Sequence, residues 1–457
     1  MALKVGELFA SFNLDTSGID GAVKSAENKM ANLGKSLAIG GAAMTAAVTV
    51  PLKQAASAIY EAGSGFDAQM SKVFAIAGSE VTGSAEAMEA LRQKALEMGS
   101  TTQFTASEAG EAMEYMAMAG WKTDQMLAAI GPLMNLAAAA GADLGTTSDI
   151  VTDAMTAFGY AATDTVTVVK DGVKMEVNAV EHFADVLAAA SSNSNTNVTM
   201  LGESFKFAAP LAGALGYSVD DVAIALGLMA NNGIKSSMAG TSLSRIIQNM
   251  AKPSDQTAAA MEALGVSLYN SKGEAKSLRE IMGDFRGQAK KNGVDVSKLA
   301  ADVADLDEQY ASGKLTEEQY TAKLEELTAG SGDFLKNLTQ LAGARGLPGL
   351  LAIMNATDED FEKLCGSIDN ATGSASEMKR VMLDNAKGDI TLFKSALEGL
   401  EITLWGLAEN GFRKVVQEAT KYVDAFRNAD KSTQVGVLKM GALAAAIGPA
   451  MAGMGGL

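Results

Sequence analysis

Residues 105–121 read TASEAGEAMEYMAMAGW, and residues 218–234 read SVDDVAIALGLMANNGI. Their starts lie 113 residues apart (218 minus 105), and the two stretches match position for position in residue type. In the first, Ala109, Ala112, Met113, Met116, Ala117 and Gly120 fall at the i, i+3, i+4, i+7 spacing of one helical face. In the second, Val222, Ala225, Leu226, Met229, Ala230 and Gly233 do the same. Each opens with a capping-box pair, Thr105 with Glu108 and Ser218 with Asp221, which satisfies amides left unpaired in a first helical turn. Each closes on a glycine suited to the left-handed position that ends a helix. The pattern predicts two amphipathic helices of one design.

Outward from these helices the composition keeps the same character. The 457 residues include 47 Gly, 25 Met and only 6 Pro, with 5% aromatics, which suits long helices packed through small side chains better than a compact enzyme core. A formal charge of −17 argues against direct nucleic-acid binding, because phosphate contacts need clustered Lys and Arg. Cys365 is the single cysteine, so no intrachain disulfide can form. His182 is the single histidine, so multi-ligand His/Cys zinc sites are excluded, and a Ser-His-Asp arrangement would have to use it. Met1 to Asp20 lacks the basic start and apolar run of a signal peptide, so none is expected.

Along the chain, residues 1–17 alternate loosely and predict an extended piece before a turn at 15–18, followed by a helix from Ile19. Leu37 to Leu52 is an apolar run of 16 residues, short of the ~20 a membrane span needs, which favours a packed helix. Phe66, Met70, Val73, Phe74 and Ala77 form the next stripe, and residues 84–98 another helix. Met126 to Gly141 is apolar on every face and must be buried all round, with Asp149 to Phe158 as its partner. Thr165 to Asn178 breaks the helical pattern. There β-branched residues flank Asp171-Gly172, a two-residue hairpin signal.

A helix over 179–191 carries His182 beside its apolar stripe, with no acid–base partner at helical spacing. A Ser/Asn-rich loop spans Ser191 to Thr199, ahead of a helix from Met200 towards Pro210. Residues 263–278 predict a second small hairpin. Residues 290–330 shift to charge and predict a solvent-exposed helical hairpin turning at Gly313, with Thr316 to Gln319 as a cap. Its Asp302, Asp305, Asp307 and Glu308 lack the glycine and terminal glutamate of a calcium loop. Further on, Leu383, Ala386, Ile390, Phe393, Leu397, Leu400, Leu404 and Leu407 alternate by four and three, a heptad stripe in a long helical region from Ala375 to Asp430. The register slips at Asn410-Gly411 and resumes with Phe412, Val416, Ala419, Val423 and Phe426.

The run GSTTQFTASEAGEAMEYMAMAGW with LAAAAGADLGTTSDIVTDAMTAFG, and then GYSVDDVAIALGLMANNGIKSSMAGTSLSRIIQNM, resembles the core of phage tail tape-measure proteins. The shared pattern is a small-residue helix, the turn Gly233-Ile234, and Ala239, Gly240, Thr241 and Leu243 opening the next helix. The resemblance covers roughly residues 60–430 and departs from the family's spacing at two insertions, 164–178 and 286–332. Tape-measure chains usually run much further, so 457 residues points to a piece of one or a short relative.

What the resemblance implies is a structural protein that sets tail length, occupies the tail tube lumen and is released toward the host envelope during genome delivery. It implies synthesis in the host cytoplasm and residence in the virion tail. Its implied partners are the tail tube protein, tail assembly chaperones, tail tip or baseplate proteins and further copies of itself, with contact to the host membrane. The alternative, from the apolar runs at 37–52 and 435–457, is a membrane-active helical pore former.

The expected fold is mostly α: an elongated multi-helix array with one or two small inserted β-hairpins and a C-terminal heptad-bearing helix. The expected divisions are 1–59, 60–285 as the core, 286–332 as the charged insertion, 333–430 with the heptad, and 431–457. No catalytic, cofactor-binding or metal-ligating residue is expected. Glu108, Glu111 and Glu114 are the nearest approach to paired carboxylates, but they lie on the solvent side of one helix. No Gly-Lys-Ser/Thr phosphate loop is present.

Overall fold

The computed structural model describes residues 43–170, 173–292, 296–329 and 332–428. The chain divides into two compact units, residues 1–61 and 62–457. The described part of the first is helical and begins α1 (Ala43–Ala77). The second is mostly helical with one small sheet, as the composition and periodicity predict. The expected N-terminal strand, the helix from Ile19, residues 37–42 of the first apolar run, the Asp171-Gly172 turn and the 435–457 run lie outside the described residues.

After α1 come α2 (Ser79–Thr82), α3 (Ala85–Thr101), α4 (Ala106–Met118), α5 (Thr123–Ala140) and α6 (Leu144–Phe158). A hairpin of β1 (Thr165–Lys170) and β2 (Val173–Asn178) follows, antiparallel, with Val166 opposite Val177 and Val168 opposite Met175. Then come α7 (Ala179–Asn193), α8 (Val198–Ala214), α9 (Val219–Asn231), α10 (Ser236–Ala251) and α11 (Asp255–Leu264). The chain continues through α12 (Leu278–Lys291), α13 (Ser297–Ala311), α14 (Glu317–Ala329), α15 (Gly332–Asn355), α16 (Asp358–Asp369), α17 (Ser374–Leu383) and α18 (Ala386–Asn428).

The helices of the second unit stack in three layers. In one, α4, α6, α8, α10 and α15 pack in that order, each on the next. Beneath lie α5, α7 and α9, and α16 and α17 cover these from the far side. Close approach depends on small residues. A Cβ on Gly240 of α10 would sit 2.1 Å from the Ser204 carbonyl oxygen of α8, and one on Gly349 of α15 would sit 2.3 Å from Ser242 Oγ of α10. Ser242 Oγ also donates to the Gly346 carbonyl and accepts from Gly349 N, seating α15 where Pro348 interrupts its hydrogen bonding.

The 113-residue spacing extends beyond the two stretches that show it in sequence. Helices α3, α4 and α5 start at 85, 106 and 123, and α8, α9 and α10 at 198, 219 and 236, each 113 later (198 minus 85, and so on). Ser84 and Asn197, 113 apart, cap α3 and α8. Gly120 and Gly233 both take positive φ, and the next amides, of Trp121 and Ile234, return to the carbonyls of Met116 and Met229. In α5 the buried Met126, Ala129, Ile130, Leu133, Met134 and Ala137 correspond to the buried Ala239, Ser242, Leu243, Ile246, Ile247 and Met250 of α10. One helical unit is thus present twice.

Several boundaries differ from expectation, each for a local reason. Helix α6 starts at Leu144, five residues before Asp149, because Asp143 caps it by accepting from Thr146 N. The Ser/Asn loop shrinks to residues 194–197, since Asn197 caps α8, and α8 runs through Pro210. The second hairpin reduces to one bridge, Tyr269 with Ala275, around a turn held by Asn270 Oδ1 accepting from Lys272 and Glu274. The charged hairpin α13–α14 turns at Gly313 and carries the predicted Thr316–Gln319 box, but it is not solvated all round. It buries Val303, Tyr320 and Leu324, and both its helices pack on α15. Pro348 removes the amide that would bond the Ala344 carbonyl, and Tyr320 Oη donates to that oxygen instead.

Candidate functional site

The residues weighed for chemistry form no common site among the described residues. Glu108 accepts from Thr105 N and closes the first capping box. Glu114 accepts from Gln69 Nε2, and Glu111 is exposed, so the three face no common cleft. Asp302 and Asp305 lie on the exposed side of α13. Cys365 is buried, and burial pushes its thiol above the usual range, away from nucleophilic use. Among the described residues no group of His, Cys, Asp and Glu is placed to hold a metal ion.

His182 does have a carboxylate partner. Its Nε2 lies 2.9 Å from Asp220 Oδ2 in the first turn of α9. They lie 38 positions apart in the chain, so helical spacing could not reveal the pair. Among the described residues no serine or cysteine hydrogen-bonds to this histidine, and the dyad ties α7 to α9.

Two further carboxylates cap helices other than their own. Asp185, buried in the middle of α7, accepts from Gly373 N (2.7 Å) and Ala375 N (2.9 Å) at the start of α17. Burial raises its pKa, while those two amides, His182 and Lys170 pull it back. The second predicted capping box forms only in part. Ser218 accepts from Asp221 N, but the Asp221 carboxylate turns away, accepting from Arg279 N (3.1 Å) and Arg279 Nε (3.2 Å) at the start of α12. Arg279 then grips Asp369 of α16 with both terminal nitrogens, at 3.0 and 2.8 Å. Burial raises the Asp221 carboxyl, against the pull of Arg279.

The feature least used by the fold itself is the outer face of α18. Asp384 and Asn385 break the predicted continuous helix, so Leu383 ends α17 and the unbroken stripe begins at Ala386. The backbone stays helical through Asn410-Gly411, and the side chains of Phe412, Val416, Ala419, Val423 and Phe426 lie outside the described ones. The inward face of α18 is not its apolar stripe. Gly388, Ser395, Ile402 and Trp405 are buried. Ser395 Oγ donates to the Gln103 carbonyl (2.9 Å), Glu398 accepts from Ser107 N (3.4 Å) and Ser107 Oγ (2.9 Å), and Trp405 Nε1 donates to Asp67 (2.7 Å). Gly63 gives Trp405 its seat, since a Cβ there would fall 2.0 Å from the indole Cγ. On the opposite side Ile390, Phe393, Leu397, Leu400, Leu404 and Leu407 are between 39% and 78% exposed.

The described residues form a mostly helical chain packed through small side chains, in which buried carboxylates such as Asp185 and Asp221 join one helix to another. Comparison with known proteins gives the family. The phage-related minor tail protein family matches residues 92–328. The chain is 31% identical to the tape measure protein of Pneumococcus phage Dp-1 over 454 residues, 97% of this chain and 35% of that one. It is 26% identical to the probable tape measure protein of Escherichia phage P2 over 362 residues, 78% of this chain and 38% of that one. No solved structure matches. The chain belongs to the phage-related minor tail protein family, that of the phage tail tape-measure proteins, and it spans little more than a third of the length of these two relatives.

Proposed function

We propose that this chain acts as, or within, the tape measure of a phage tail. In that role it occupies the tube lumen in several copies, sets tail length, and leaves toward the host envelope when the genome is delivered. The observation that carries the reading is the alignment of 97% of the chain with a protein named for that role. The physical basis is the conversion of sequence into length: a helix rises ~1.5 Å per residue, so 457 residues could span up to ~690 Å as one rod. The partners that follow are the tail tube protein, tail assembly chaperones and the tail tip or baseplate, with host membrane contact on release. We assign no catalytic, cofactor or metal site. On the pore-forming alternative, among the described residues no single helix is long and apolar enough to cross a membrane, and one pair, α5 with α6, bent by 120°, reaches that length and composition together.

The internal repeat supplies the test. Removing residues 85–197 joins one cap position to the start of the equivalent helix and deletes 113 residues (197 minus 84). If helical length is what is measured, tails carrying the deletion shorten by roughly 170 Å in electron micrographs. Tails of unchanged length would sink the ruler reading for this part of the chain.

A further inference from the structure

We propose that the outward stripe of α18, from Ile390 to Leu407, is a self-docking surface whose occupant is the same stripe on a second copy of this chain. The proposal deepens the multi-copy arrangement named above and rests on that part of it, not on the ruler role.

The two faces of α18 carry the argument. The helix turns Gly388, Ser395 and Glu398, with only Ile402 and Trp405 as large apolar groups, to its own core, while six large apolar side chains face solvent. Packing energy would favour the reverse if α18 served only this chain's core. Six side chains of this size at those exposures leave roughly 600 Å² of apolar surface, the top of the range for one patch on an ordinary monomer. Two such stripes face to face bury roughly 1,200 Å², the lower bound for a specific interface.

The spacing selects the partner. Ile390, Leu397 and Leu404 recur every seven residues, as do Phe393, Leu400 and Leu407, and this 3.5-residue repeat meshes best with another helix of the same repeat. Among the described residues, most other exposed large hydrophobics are scattered over α1, the hairpin and α8. The flanking charges are self-complementary as well. In a parallel pair, Asp389 of one helix faces Lys394 of the other, five residues on. In an antiparallel pair, Lys394 faces Glu401. Either way opposite signs meet along the seam, as a surface that binds itself requires.

The test uses the full chain. Sedimentation of the wild type is compared with Leu397→Asp/Leu404→Asp, whose sites are exposed, and circular dichroism checks that helix content is kept. The expected result is a wild-type oligomer and a variant that associates at least about a thousand-fold more weakly. A charge arm then reads the geometry. Lys394→Glu weakens association, and either Asp389→Lys (parallel) or Glu401→Lys (antiparallel) restores it in the double variant. An effect on folding alone would not be rescued in that way.

A wild-type oligomer that persists in the folded stripe variant overturns the surface while leaving the multi-copy reading standing. A monomeric wild type overturns both. If the chain is monomeric and the stripe variant instead loses binding to purified tail tube protein, the tube is the occupant and the self-docking proposal fails. Tail length, measured separately, bears only on the ruler.

Discussion

Gly240 is where the layered packing is most exposed to a single methyl group. Its Cβ would stand 2.1 Å from the Ser204 carbonyl oxygen and 2.8 Å from the carbonyl carbon, both backbone atoms of α8. Unstrained contacts begin at about 3.5 Å, so Gly240→Ala requires the two helices to part by about 1.4 Å. Neighbouring side chains are close-packed and cannot follow without opening voids. The hydrogen bond from Ser204 Oγ to the Ser236 carbonyl, 2.7 Å long, bridges the same gap and would stretch. Overpacking of this kind costs about 3 kcal/mol, and alanine returns about 1 kcal/mol through its better helix propensity. The expected net loss is about 2 kcal/mol, read as a lower midpoint in denaturant titrations followed by circular dichroism. Gly283→Ala is the control. That glycine sits in α12 with nothing within 4 Å of its Cβ position, so the same change should gain about 0.5–1 kcal/mol. If both variants were stabilised alike, Gly240 would be tolerated rather than required, and the packing argument would be wrong.

Asp185→Ala removes the acceptor for Gly373 N and Ala375 N and should cost about 1–2 kcal/mol, with hydrogen exchange rising first in α17. Asp185→Asn keeps one acceptor and should cost less. His182→Ala should lose about 1 kcal/mol with its Asp220 bond and leave tail length unchanged; a folded variant unable to support tail assembly would reveal a role beyond joining α7 to α9. Asp185 and Asp221 have raised pKa values through burial, so the folded chain holds these protons more tightly than the unfolded chain. Their share of stability is therefore greatest below the ordinary carboxylate value and falls as pH rises through the raised values. Asp143, lowered by its bond from Thr146 N, acts in the opposite sense, adding stability above the ordinary value that is lost as pH falls through the lowered one. Denaturation midpoints across the acid range should show the first trend weaken in Asp185→Asn/Asp221→Asn; an unchanged profile would place the raised groups elsewhere.

What could be read from the sequence was short-range. The periodicity of α4 and α9, the β-branched residues on either side of the hairpin turn, and the Thr316–Gln319 box are written within a few residues of where they act. The contacts that join helices are not. Asp185 reaches an amide 188 residues on, and Glu398 reaches Ser107 across 291. Neither carboxylate looks different in sequence from one on a solvated face. The heptad of α18 was legible as a pattern, but which face meets the core was not, because the inward positions Gly388, Ser395 and Ile402 form no apolar stripe of their own. The repeat was visible only in α4 and α9. Helices α3 and α8 share their boundaries and capping positions while differing in nearly every side chain, so only backbone geometry relates them.

The differences between the two copies explain how one plan serves two surroundings. Where α4 begins, Glu108 is long enough to return to Thr105 N, and the cap is self-contained. At the equivalent place on α9, Asp221 is one methylene shorter, and its carboxylate goes to Arg279 and, through it, to Asp369. Where α5 carries Leu127, α10 carries Gly240, and that exchange brings α10 into backbone contact with α8. Where α5 carries Ala129, α10 carries Ser242, whose hydroxyl seats the interrupted turn of α15. Asp221 and Ser242 replace a group that finishes its business locally, or merely fills space, with one that reaches toward another helix, and Gly240 removes a side chain so that another helix can come close. The second copy is thereby joined to α12, α15 and α16, while the first is closed by the polar inward face of α18. That closure uses few large apolar side chains, which is why α18 still has an apolar face to present outward.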